Sequence, residues 1–160
     1  MVKARSTKDL GYIGETYVMA KLMRDYNIAS VKVPQEFFPY DLITNNGKKL
    51  EVKTARPTTK NRKHKLVGRT KTYEWPAWEF RRNPKQMPKG SSDFVVCVSY
   101  ESKDMAEEPR CFIIPSSELM NKKTQNPREV WAILIAPKRG KPKFWEWDDR
   151  WDQICECNRQ

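Results

Sequence analysis

The sequence predicts an α/β (α+β) fold. Three stretches carry that reading: a proline-free segment near the start, an Asn-Gly turn between two strand-like runs, and a β-branched apolar run from Asp93 to Tyr100. The length of 160 residues suits one domain covering 1–160, with a single core. Six Trp, six Tyr and six Phe supply apolar area enough to pack it.

Ser6 followed three residues later by Asp9 resembles a capping box, and strong helix formers continue without proline to Tyr26. A first helix over Thr7 to Tyr26 follows, with Asn27 in the left-handed position that ends it. Val31 and Val33 alternate with polar neighbours before Pro34, as in a short strand.

Tyr40–Thr44 and Lys48–Ala55 then read as two strands of a hairpin about Asn45-Asn46-Gly47. Residues directly opposite in an antiparallel pair share a face, so the loop length decides the chemistry of each face. A two-residue loop sets Asp41 against Val52 and mixes Leu42 with Glu51 and Lys53. A three-residue loop with Gly47 left-handed sets Leu42 against Leu50 and Asp41 against Glu51. The second register is preferred, because it gathers Leu42, Leu50 and Val52 on one face and leaves Asp41, Glu51 and Lys53 together on an exposed one.

Residues 56–90 form a basic, proline-punctuated excursion predicted to hold one further strand. The run FVVCVSY predicts a central strand buried on both faces, while RCFII and VWAILI supply two more. Pro115–Leu119 starts a short helix between them, and a terminal helix packing through Trp147 and Trp151 is expected near the end.

The formal net charge is +11, and residues 56–89 hold eleven Lys or Arg against two acids, which points to a polyanion as partner. No stretch approaches the roughly 18 consecutive apolar residues of a membrane span, and the start lacks the apolar run of a signal peptide. A cytoplasmic protein with no membrane partner is expected. The four cysteines, Cys97, Cys111, Cys155 and Cys157, lack zinc-site spacing and read as buried free thiols.

Phosphodiester hydrolysis needs a cation on the phosphate, an activated water and stabilisation of the departing oxygen. Opposed carboxylates of Asp41 and Glu51 suit magnesium, which takes oxygen ligands and keeps several waters. Lys53, two residues on and therefore on the same face, can orient the water or offset developing charge.

Pro39-Tyr40-Asp41 followed after nine residues by Glu51-Val52-Lys53 resembles the Asp-x(n)-Glu-x-Lys signature of the PD-(D/E)XK nuclease superfamily. That superfamily includes restriction enzymes, homing and repair nucleases and Holliday-junction resolvases. The resemblance covers roughly Gly11 to Pro115 and departs in one place, since Tyr40 and not proline directly precedes Asp41. It implies a restriction-endonuclease-like αβββαβ core, a mixed central sheet flanked by helices. It also implies Asp41 and Glu51 as metal ligands, the Val52 carbonyl as a third, Lys53 as the catalytic lysine, and Glu15 as the helical acid beside them. Mg2+ is the expected ion, with Mn2+ substituting. The implied activity is DNA endonuclease cleavage of restriction or homing type. Alternatives are a structure-selective junction or repair nuclease and a non-catalytic nucleic-acid-binding protein.

Double-stranded DNA would be gripped by Arg56, Lys60, Arg62, Lys63, Lys65, Arg69, Lys71, Arg81 and Arg82, whose charges neutralise phosphates. Tyr73, Trp75 and Trp78 have two readings, base stacking or packing onto the core, of which packing is the commoner fate of Trp. His64, alone in a basic run, is given no catalytic role. Cutting both strands needs two sites or two visits, which a homodimer would satisfy.

Overall fold

The computed structural model describes residues 7–34, 39–66, 69–81, 92–119, 132–135 and 144–156. Helix α1, Thr7–Tyr26, matches its predicted span. Val18 and Leu22, one turn apart, are fully buried and make the face that meets the sheet. Asn27 ends the helix at φ 55°, and the Ile28 amide donates to the Leu22 carbonyl at 3.1 Å, the closing bond of a left-handed C-cap.

Strands β1 (Ser30–Lys32), β2 (Leu42–Thr44) and β3 (Lys49–Ala55) follow as an antiparallel set. Leu42 lies opposite Leu50, the register of the three-residue loop. Gly47 sits at φ 82°, its amide donates to the Thr44 carbonyl at 2.9 Å, and Lys48 is tied back through the Thr44 Oγ1 at 2.8 Å. Residues with a Cβ rarely adopt that φ, so the turn requires glycine there.

Residues 56–90 were expected to add one strand; among the described residues they hold a long hairpin of two. These are β4 (Thr58–Leu66) and β5 (Arg69–Arg81), paired from Thr58 opposite Ala77 to Leu66 opposite Arg69. The chain then returns as β6 (Phe94–Ser99), which lies parallel to β3, and β7 (Arg110–Pro115) pairs antiparallel with β6. The result is a five-stranded mixed sheet ordered β1-β2-β3-β6-β7; β6 is buried on both faces as its composition predicts, but it lies between β3 and β7, and the central place belongs to β3. Among the described residues the crossover between the parallel strands is the β4–β5 hairpin, where the αβββαβ order places a helix.

Strand β8 (Ala132–Ile135) pairs with the far half of β5, making a second sheet ordered β4-β5-β8. The two sides of the central sheet are therefore covered differently. One carries Leu42, Leu50, Val52, Val96, Val98 and Ile113 against Val18 and Leu22 of α1 and against Trp151 and Ile154. The other carries Val95, Cys97, Phe112 and Ile114 against Trp78, Phe80, Ile133 and Ile135 of the second sheet.

The terminal segment is divided. A 3-10 turn over Trp145–Trp147 packs by its tryptophans on the second cluster, while short α2 (Asp152–Cys155) follows a fully buried Trp151 on the first. Asn46 at the hairpin tip donates through Nδ2 to the Ile154 carbonyl at 2.8 Å, joining this segment to β2–β3. Cys97 and Cys111 are buried free thiols and Cys155 a half-buried one, as expected; Cys157 and Ser6 lie outside the described residues. No described helix is long and apolar enough to cross a membrane.

Candidate active site

Strand β2 is only three residues long, so among the described residues no strand pairs with β3 on that side beyond Leu50. Asp41 stands where the ladder stops. Its backbone amide donates to the Leu50 carbonyl at 2.9 Å, and its carboxylate Oδ2 accepts the Val52 amide at 2.7 Å. A side chain thus serves the bond a longer strand would make, and the edge of β3 opens into a cleft of about 470 Å³. Glu15 of α1, Asp41, Val52, Lys53, Thr54, Arg56 and Arg81 all line it.

Four of the predicted site residues, Glu15, Asp41, Val52 and Lys53, therefore share one cleft. Glu51 is the exception. The face of Asp41, Glu51 and Lys53 was expected to be exposed, yet Glu51 is 3% exposed and absent from the cleft wall. The reason lies in the second sheet. Glu51 and Lys53 stand opposite Val95 and Cys97 of β6, hence on the side that Trp78, Phe80 and β8 cover. A carboxylate withdrawn from water is costly unless paired. Lys53 supplies a pairing at 3.1 Å, and this lysine itself lines the cleft.

Glu15 enters because α1 lies unusually close to β3. A Cβ built on Gly14 would stand 1.8 Å from Thr54 Oγ1, so only glycine lets the helix backbone approach there. That approach sets Glu15 at the cleft edge. Its Oε2 pairs with Lys32 Nζ of β1 at 2.8 Å. On the other side of the helix, Tyr17 donates to Glu108 at 2.8 Å and Lys21 pairs with it at 3.3 Å, anchoring α1 to the loop after β6. The Tyr17 hydrogen bond and the Lys21 ammonium hold the Glu108 carboxyl below its usual range.

The donors fit a hard divalent cation in kind, since carboxylates and a backbone carbonyl are what magnesium takes. Each acid already has a donor of the chain's own: Val52 for Asp41, Lys53 for Glu51 and Lys32 for Glu15. Among the described residues no three His, Cys, Asp or Glu side chains form a ready-made metal cluster.

Of the predicted basic contacts, Arg56 and Arg81 line the cleft. Lys60, Arg62, Lys63, Lys65, Arg69 and Lys71 fall on the backbone of the β4–β5 hairpin, and their side chains, like Arg82, lie outside the described residues. Trp78 takes the packing alternative: it is buried, and its Nε1 donates to the Tyr100 carbonyl at 2.7 Å. The side chains of Tyr73 and Trp75 lie outside the described residues.

Two residues escaped the sequence reading, one on the cleft wall and one paired with Glu15. Glu79 lines the wall from β5, 3.5 Å from Arg81, and its one signal was being an acid in a basic stretch. Lys32 had no signal, because only the packing of α1 beside β1 brings it to Glu15.

No protein-family model matches the chain, and no curated protein matches it. Among solved structures it is similar to a bacterial homing endonuclease, I-Ssp6803I. The TM-score is 0.56 and the identity 15%, over 94% of each chain. At that identity the likeness is one of fold alone, a mixed sheet with helices in an α+β architecture.

Proposed function

We propose that the chain is a magnesium-dependent DNA endonuclease with a PD-(D/E)XK site, of restriction or homing type. The observation that carries this reading is the shared cleft, in which Glu15, Asp41, Val52 and Lys53 converge beside Arg56 and Arg81. The fold held in common with a homing endonuclease supports it.

Asp41, Glu51 and the Val52 carbonyl would hold the ion, with Glu15 beside them, and Mn2+ would substitute for Mg2+. When bound, such an ion neutralises phosphate charge and lowers the pKa of a water. Lys53 orients that water or offsets charge on the phosphate, with a proton available at Nζ. Arg56 and Arg81 hold neighbouring phosphates, and the basic hairpin extends the grip along double-stranded DNA. A homodimer would present two such clefts to the two strands.

One observation favours a second reading, binding without cleavage: all three acids are engaged by donors of the chain itself. Plasmid nicking separates the two. With Mg2+ or Mn2+ the wild type should nick, and Asp41→Asn and Lys53→Met should each lose about 10²–10⁴-fold in rate. Ca2+ should support binding without cutting, because its looser shell positions water poorly. Cleavage that persists in both variants, or in EDTA, would overturn the site assignment. Tight DNA binding with no cleavage of duplex, junction or single strand would favour the second reading.

A further inference from the structure

We infer that Lys32 is an internal counter-ion beside the cleft, which occupies Glu15 and thereby restrains the affinity of the site for a divalent ion. The inference rests on the reading of the cleft as an ion-binding site.

The chain at the end of β1 meets both Asp41 and Glu15. The Val33 amide donates to the Asp41 carbonyl at 3.0 Å, and Lys32 Nζ lies 2.8 Å from Glu15 Oε2. The ammonium is held from a second direction by the Tyr12 ring, whose centroid is 3.8 Å away. Tyr12 and Glu15 are three residues apart on α1 and so share a helix face, which presents both to Lys32. The Glu15 side chain is 16% exposed and that of Lys32 33%, so the carboxylate is partly withdrawn from water while the lysine stands at the surface.

An ammonium in that place has two consequences. It holds Glu15 at the cleft edge, and it opposes the approach of a second positive charge to the same carboxylate. Lys53 stands in the same relation to Glu51, but Lys53 belongs to the Glu-x-Lys motif and Lys32 to none. An incoming ion that uses Glu15 must therefore compete with an internal cation contributed by β1. A plain tether between α1 and β1 would stabilise the fold but leave ion affinity untouched.

The test is equilibrium binding of Mn2+ to the full chain, by calorimetry without DNA. Lys32→Met should tighten binding by about three- to tenfold, the size of a contact coupling between neighbouring groups. Lys32→Arg should stay within about twofold of wild type, because it restores the charge and the hydrogen bond. In a Glu15→Gln background the Lys32→Met effect should vanish. Thermal melts establish that each variant folds, and Lys32→Gln is read in the same way should Lys32→Met not fold. Unchanged affinity in Lys32→Met, or equal tightening with and without Glu15, overturns the inference. If wild type binds Mn2+, Asp41→Asn weakens it and Lys32→Met does nothing, this inference alone fails. A wild type that binds no Mn2+ removes both this inference and the ion-site reading beneath it.

Discussion

Alternate residues of β3 enter two different environments. Leu50 and Val52 meet α1 in a cluster built of apolar side chains, whereas Glu51 and Lys53 turn toward the second sheet, where one is buried and the other reaches the cleft. A period of two divides one strand into a side that stabilises and a side that bears charge. The charged side is tolerated because its two members satisfy each other and because the cleft lets the lysine meet water.

Four substitutions probe that division. Leu50→Ala, at a site with no exposure, should cost about 2–5 kcal/mol in denaturant unfolding through lost transfer energy and a residual cavity. A smaller loss would mean that the helix-facing cluster closes over the gap and carries less of the stability than its burial implies.

Lys53→Met should cost less, about 1–3 kcal/mol, because it removes the ammonium paired with a buried carboxylate but at a position that still touches solvent. Adding Glu51→Leu should recover that loss while leaving the cleft without its motif, since apolar replacement of a whole buried pair is often neutral or stabilising. A double variant less stable than Lys53→Met alone would show that the pair itself holds the sheets together.

Gly14→Ala should give the smallest change, about 1–2 kcal/mol, as the new methyl forces α1 or Thr54 to shift. The informative readout is nicking: displacement of α1 should reduce cleavage more than it reduces stability, because Glu15 rides on the same turn. Loss of the two in proportion would mean that the close approach serves packing only.

Much of this was legible locally. The span of α1 with Asn27 beyond it, the Gly47 turn and the Leu42–Leu50 register all follow from caps, turn chemistry and alternation over a few residues. The apolar runs of β6 and β7 were legible for the same reason. The likeness of Asp41, Glu51 and Lys53 to a nuclease signature was visible because the motif is nearly contiguous. Glu79 was invisible because it reaches the cleft from a strand remote in sequence, and Lys32 because only the packing of α1 beside β1 brings it to Glu15.

By itself the sequence determined α1, the β2–β3 hairpin and its register, the runs of β6 and β7, and which side chains of β3 share a face, since these depend on backbone geometry within a handful of residues. The tertiary structure alone decided that β6 runs parallel to β3, that a second sheet covers Glu51, and that β1 brings a lysine to Glu15. Those outcomes depend on which apolar surfaces find each other across long loops. Hydrophobic burial is non-directional, so sequence pattern marks a surface as one to be covered without saying what will cover it.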